Sequence, residues 1–335
     1  RLKFDEDALH IVNRILNVLS EPYMPDGKKI NISFNAGISL YPKDAGLSQD
    51  IFDKAESALL NSRLKGENTV GFFKKEFEES ARKKVELRNG LNEAMEKNQF
   101  LLHYQPYFDI KTGLIKGAEA LLRWQRDGRL TPPMEFIPFL EQSGMITKVE
   151  NWILGEVASK MKIWLDKGLK VVPVSVNISP ASFGDPYIKE NIENALNKNG
   201  IKSDLLNLEI VERTFIDNLE YSLKLLNYFK ESGLGLSIDD FGTGYSSLSY
   251  LADLPFDILK IDISFVRKML SDKHSRYIVE TIIYLSKKLN MKSIAEGVET
   301  EEQFELLKEL GCDYIQGFLL SEPLEETKLE KLLEN

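Results

Sequence analysis

Between Ser237 and Val266 the sequence SIDDFGTGYSSLSYLADLPFDILKIDISFV sets two adjacent carboxylates, Asp239 and Asp240, at the end of one short apolar run. Lys260 and Asp262 stand at the end of the next. A single acid before Gly-Thr-Gly-Tyr-Ser-Ser reads as the cap of a helix starting near Ser246. A pair of acids is a different matter, because like charges this close raise one another's pKa unless a cation or solvent relieves them. Successive strand residues also point to opposite faces, so both acids can meet one solute only where the strand is ending and twisting into its loop. The pair therefore reads as a divalent-cation site, with Lys-x-Asp beside it.

Other apolar runs carry polar residues of the same kind at their ends: Gln105, Glu119, Arg123, Asn177, Glu209, Glu296 and Gln316. Several carboxylates with a carboxamide make a hard-cation site, and this many acids suit two ions better than one. Two such ions can orient a phosphodiester, activate a water and stabilise the leaving oxygen. Lys260 could orient or deprotonate that water or neutralise the transition state, and Arg123 suits a phosphate oxygen. The residue types thus lead to metal-assisted phosphoester hydrolysis.

Gathering groups so far apart in sequence requires an architecture that brings strand ends together. After Gln99 eight apolar runs alternate with amphipathic stretches: Phe100 to Phe108, Gly117 to Trp124, Val171 to Ile178, Leu205 to Val211, Leu234 to Ile238, Ile258 to Ile263, Met291 to Ala295 and Tyr314 to Leu320. Helices are predicted near Thr147 to Asp166, Lys189 to Asn199, Leu219 to Ser232, Arg276 to Leu289 and Glu301 to Leu310. Together they predict a (β/α)8 barrel, whose site lies at the strand ends. Before it, residues 1–73 predict a small α+β segment with helices at Ala8 to Leu19 and Asp50 to Lys65 and strands at Ile30 to Leu40 and Thr69 to Phe73. Residues 74–98 predict a charged linker helix. Asn35-Ala36-Gly37 lacks the other glycines and the lysine of a phosphate loop and reads as structure.

Composition narrows the chemistry. The net charge of −9, from 43 basic and 52 acidic residues, argues against polymeric nucleic acid as a partner while leaving room for a small anionic ligand. One cysteine, Cys312, and three scattered histidines, His10, His103 and His274, exclude a disulfide framework and a thiolate or imidazole metal site. Oxygen ligands point instead to Mg²⁺ or Mn²⁺. Without a signal-peptide pattern or an apolar run of membrane length, the chain is expected to be cytoplasmic. It begins at Arg1 rather than Met, which suggests unseen upstream sensory or cyclase domains, and through them a membrane anchor.

The motifs YQPYFDIKTG, GAEALLRW, EFIPFLEQSGMI, VSVNIS, LEIVE, SIDDFGTGYSSL, LKIDISFV, IAEGVET and DYIQGFLLSEP run in order across residues 99–335. This stretch resembles an EAL-domain cyclic-di-GMP phosphodiesterase, the Glu-Ala-Leu standing at Glu119-Ala120-Leu121. ISFNAGISLYPKDA and IFDKAESALLNSRLKGENTVGFF resemble the C-terminal part of a GGDEF domain, without the cyclase motif itself. The resemblance implies a TIM-like barrel with one strand tending to run antiparallel, and hydrolysis of cyclic di-GMP to linear pGpG with two Mg²⁺ or Mn²⁺ ions. It implies Glu119, Asn177, Glu209 and Asp239 as ligands of one metal, with Asp239 bridging to a second held by Asp240 and Glu296. Lys260 and Asp262 would flank the nucleophilic water, Gln316 would complete its surroundings, and Gln105 and Arg123 would face the dinucleotide. Glu212 would hold the loop after Asp240, with Gly242 and Gly244 giving that loop mobility near a homodimer contact. Ala181 and Phe318 depart from glutamine and tyrosine common in the family, away from the implied ligands. A catalytically silent cyclic-di-GMP receptor is the alternative, disfavoured because no acid of the implied ligand set is missing.

Overall fold

The computed structural model of the chain describes residues 5–334 except 20–21, 28, 31, 47, 127, 217 and 243–250. Two compact units result, Arg1–Glu93 and Ala94–Asn335. In the first, helices Asp5–Leu19 and Ser48–Leu64 accompany two short parallel strands, β1 (Ala36–Ile38) and β2 (Val70–Phe72), and the helix Lys75–Ala94 begins after them. The strand expected over Ile30 to Leu40 is only three residues long, matched to a three-residue partner. Gly37 is there for close packing: a Cβ would lie 2.1 Å from Ala55 O on the helix alongside. Asn35 accepts a hydrogen bond from Thr69 N at 3.0 Å, so this tripeptide ties two strands together, as the structural reading of it held.

The second unit is a closed eight-stranded barrel. Its strands are β3 (Phe100–Asp109), β4 (Ile115–Arg126), β6 (Val174–Ile178), β7 (Leu206–Val211), β8 (Gly235–Phe241), β9 (Ile258–Ile261), β10 (Lys292–Ala295) and β11 (Tyr314–Ile315). A short β5 (Arg129–Thr131) adds to the edge of β4. Neighbours follow chain order around the ring, and β3 closes it between β4 and β11.

All eight predicted runs form barrel strands. β3 is antiparallel to both its neighbours, while the other pairings around the ring are parallel. The cause is local: only five residues separate β3 from β4, enough for a hairpin and too few for a crossover helix. Asp109 sets that turn by accepting from Lys111 N and Thr112 N at 3.1 and 2.8 Å. The run expected to reach Leu320 stops as a strand at Ile315. There the chain turns against the Val298 backbone so closely that a Cβ at Gly317 would sit 2.2 Å from Val298 O.

Inside the strands the side chains divide by parity. Val174, Val176, Leu208, Ile210, Leu236, Ile238, Leu259 and Ile261 are wholly buried and alternate with polar residues. Those polar residues meet one another in the barrel interior: Asn207 Nδ2 donates to Ser175 Oγ at 2.9 Å and to Ser237 Oγ at 2.8 Å. Two residues further along each of these strands stand Asn177, Glu209 and Asp239. The interior therefore rises from a neutral hydrogen-bonded layer to a charged one.

Candidate active site

At the centre of the charged layer lies Lys260, fully buried on β9. Its Nζ is 2.5 Å from Glu209, 2.7 Å from Glu296, 3.1 Å from Asp239 and 3.4 Å from Glu119. Burial alone would pull this lysine down, but the four carboxylates outweigh it and hold the ammonium well above its ordinary pKa. It is a cation in place.

One ammonium is too little charge for four acids, and the acids register this. Burial, then the neighbouring Glu119 charge, raises Glu209, while burial raises Glu296 despite Lys260. Glu119 is held below the ordinary range, against its burial, by Lys260, Gln316 and Asn177. Its oxygens accept from Asn177 Nδ2 at 2.8 Å and Gln316 Nε2 at 2.9 Å.

The adjacent acids solve the facing problem with a bulge. Between Ile238 and Phe241 the register of β8 against β9 slips, since three steps on β8 span two on β9. Asp240 sits in that extra position at φ 53°, a left-handed conformation that aspartate tolerates better than most residues. Consequently both carboxylates turn to one place, where oxygens of Asp239, Asp240 and Glu296 lie within 4.8 Å of one another. Burial first, then the charges of Asp239 and Asp262, push Asp240 up to about 6. Gln316 Oε1 is buried without a hydrogen-bond partner, and the partner of buried Asp239 Oδ1 is the Lys260 ammonium. An all-oxygen set with an orphaned acceptor and surplus negative charge fits a hard divalent cation.

Asp262 has a structural duty as well, capping the helix Ile263–Lys268 by accepting from Ser264 N at 3.0 Å. Gln105 pairs with Glu119 across β3 and β4, receives Gln316 Nε2 at 3.5 Å and donates to Ser321 O at 3.3 Å. Arg123 donates to Leu122 O at 2.9 Å, half-buried. Glu212 is buried at the start of the helix Glu212–Ile216. Gly242 has φ 97°, whereas Gly244, the helix expected near Ser246 and the rest of the loop lie outside the described residues. Glu299 belongs to the surface, paired with Arg267 at 2.8 Å.

Several placements differ from the expectation that these groups stand at strand ends. Gln105 and Glu119 lie mid-strand, because β3 and β4, at 10 and 12 residues, run on well past the shorter strands that flank the pair. Glu209 and Lys260 are likewise inside their strands, while Asp262, Glu296 and Gln316 follow theirs directly.

Two cavities open from this layer and share Asn177 and Asp239. One, of about 310 Å³, is lined by Arg123, Ile137, Ile146, Glu150 and Asp240; the other, of about 380 Å³, by Gln105, Glu119, Glu296, Gln316 and Phe318. Glu150 was not singled out in sequence, although an acid on the apolar stripe of Ile146, Val149, Ile153 and Val157 is a legible signal. The layer-forming Ser175, Asn207 and Ser237 were also missed; their signal is a polar residue two places before each site residue inside an apolar run.

Residues 88–323 match the family model described as the EAL domain. The chain belongs to the EAL domain family. It is 37% identical over 325 residues to the bifunctional diguanylate cyclase/cyclic di-GMP phosphodiesterase MucR of Pseudomonas aeruginosa, covering 96% of this chain and 47% of that protein. To the cyclic di-GMP phosphodiesterase NbdA of the same organism it is 34% identical over 330 residues, covering 98% and 42%. The chain thus spans less than half the length of these curated relatives. Among solved structures, the PaMucR phosphodiesterase in complex with c-di-GMP has a TM-score of 0.71 at 40% identity, covering 73% of this chain and 99% of that one. Among the described residues no helix is long and apolar enough to cross a membrane.

Proposed function

We propose that this EAL domain hydrolyses one phosphodiester bond of cyclic di-GMP, giving linear pGpG, with the help of divalent cations. The observation that carries the reading is the convergence of Glu119, Asn177, Glu209, Asp239, Asp240 and Glu296 around one barrel mouth from which two cavities open. A cyclic dinucleotide has two nucleotide halves joined at phosphates, and a cleft with two arms meeting at acids suits that shape. The names of the relatives and of the c-di-GMP-bound MucR structure support the same substrate.

Asp239, Asp240 and Glu296 would hold one ion, and Glu119, Asn177, Glu209 and Asp239 supply donors for a second. Bound there, Mg²⁺ or Mn²⁺ would lower the pKa of a water and neutralise charge developing on the phosphate. The protein's own share is positioning. Lys260, held as an ammonium, keeps the acids together and can orient a water as a donor, which favours that role over proton abstraction. Arg123 and Gln105 line one cavity each, and each would bind one half of the ligand. Self-association through the barrel belongs to this proposal, as do the cyclase-like tail of residues 1–73 and a linker role for residues 74–98.

The test is hydrolysis by the chain as it stands, resolved by chromatography with each metal. Tight binding of cyclic di-GMP with no product would make the domain a receptor instead.

A further inference from the structure

β6 is held unequally on its two sides. Toward β7 it pairs at every residue from Val174 to Ile178, but toward β4 it pairs only at Val174 and Ser175. Beyond Ser175 the two strands part, and the 310 Å³ cavity lies where they do, lined by Leu121, Leu122, Arg123, Asn177, Ile178 and Ser179. The end of β6 that pairs with β7 alone carries Asn177. On this open side two side-chain links replace the missing ladder: Asn177 Nδ2 to Glu119, and Glu150 to Ser179.

Glu150 reaches across from the helix Ile146–Asp166 with only 5% of its surface exposed. It accepts from Ser179 N at 3.0 Å and from Ser179 Oγ at 3.1 Å. Ser179 in turn caps the short helix Pro180–Phe183 by accepting from Ser182 N at 3.3 Å. A buried carboxylate is costly unless its bonds repay it, and an apolar side chain would fill the same stripe of this helix without that cost. Its bonds go to the segment that steers Asn177.

We propose that Glu150 is a positioning residue for the reaction: by clamping Ser179 it fixes the end of β6 that is laddered on the β7 side alone, and so sets how the Asn177 amide meets Glu119 and a bound metal ion. The inference rests on the hydrolase reading, and the tests below separate the two. Loss of the clamp leaves the end of β6 held by β7 alone, free to shift on its β4 side, which displaces the Asn177 side chain without removing any group that touches the reacting atoms.

The experiment compares Glu150→Ala, Glu150→Gln and Ser179→Ala in the full chain, measuring kcat, KM and the Mn²⁺ concentration for half-maximal rate. Circular dichroism confirms that each variant is folded. Removal of an outer-shell partner of a metal ligand typically costs about 10- to 100-fold in metal affinity or activity, and Glu150→Ala is expected to lose kcat and metal affinity within that range with little change in KM. Ser179→Ala, which loses one of the two bonds, is expected to fall between it and the wild type. Glu150→Gln keeps an acceptor for Ser179 N and is expected to restore most of the rate. A folded Glu150→Ala variant with wild-type kcat and metal dependence would overturn the proposal, as would a Glu150→Gln variant no better than Glu150→Ala. If the wild type itself hydrolyses nothing, the hydrolase reading fails on its own. The clamp is then judged by the ¹⁵N side-chain amide resonance of Asn177, assigned with Asn177→Asp, which must shift in Glu150→Ala and return toward wild type in Glu150→Gln.

Discussion

Lys260 Nζ and Glu209 Oε2 stand 2.5 Å apart with both side chains almost completely sheltered from water. Three further acids share the same ammonium, so the cation is the keystone of the barrel mouth and its loss would leave buried charges uncompensated. Replacing Lys260 with Met is expected to destabilise the chain by about 3–5 kcal/mol in metal-free buffer, the usual cost of stripping one partner from a buried ion pair. Millimolar Mg²⁺ should recover part of that loss, by supplying charge to the same acids. Urea unfolding with and without Mg²⁺ checks both; an unchanged midpoint in metal-free buffer would contradict the keystone role.

Glu150 makes stability depend on pH. Burial pushes its carboxyl from 4.5 up to about 7 even though Ser179 and Ser182 donate to it. Because the folded value is the raised one, the folded chain binds this proton more tightly than the unfolded chain. The stabilisation is complete below about 4.5 and is lost as pH climbs through about 7. At 1.36 kcal/mol per pKa unit this single group contributes about 3 kcal/mol across that window. Glu150→Gln should remove the slope, gaining on the wild type at pH 8 and giving the advantage back at pH 5. Thermal midpoints of both proteins at the two pH values read the difference directly; parallel pH profiles would refute it.

The bulge at Asp240 predicts a separation of charge from backbone. Asn tolerates φ 53° as Asp does, so Asp240→Asn should fold with near-wild-type stability while binding Mn²⁺ more weakly, by about tenfold or more for a lost charged ligand. Calorimetric titration with Mn²⁺ measures it. An unaltered affinity would remove Asp240 from the ligand set.

At Gly242 backbone and packing act together. Its φ of 97° lies where side chains are rarely found, and a Cβ would come 3.1 Å from Phe265 and 3.3 Å from Ile282. Gly242→Ala is expected to cost about 1–2 kcal/mol, measured by chemical denaturation. A neutral substitution would show that the turn can relax.

Why the sequence revealed some of this and hid the rest follows from what a run of residues encodes. Eight apolar runs with amphipathic stretches between them were enough for the barrel, because both strand length and helix period leave a local trace. The chemistry was legible through its cost: an acid pair such as Asp239-Asp240, or a lysine inside Leu259-Lys260-Ile261, is conspicuous in an apolar run. Depth was not legible. Glu119 and Gln105 lie at the level of the site only because the register of β4 with β6 and of β3 with β4 sets them there, and register is a property of strand pairs. For the same reason Lys260 reads equally well as a surface cation until its four partners arrive from four other strands or strand ends. The bulge that brings Asp239 and Asp240 together is a relation between β8 and β9, invisible in either alone.

The most direct test of the central claim is turnover of cyclic di-GMP by this chain with Mg²⁺ or Mn²⁺, followed by chromatography, beside Glu119→Ala. The wild type is expected to give pGpG and the variant none. Tight binding without product under either metal, or product that persists in Glu119→Ala, would contradict it.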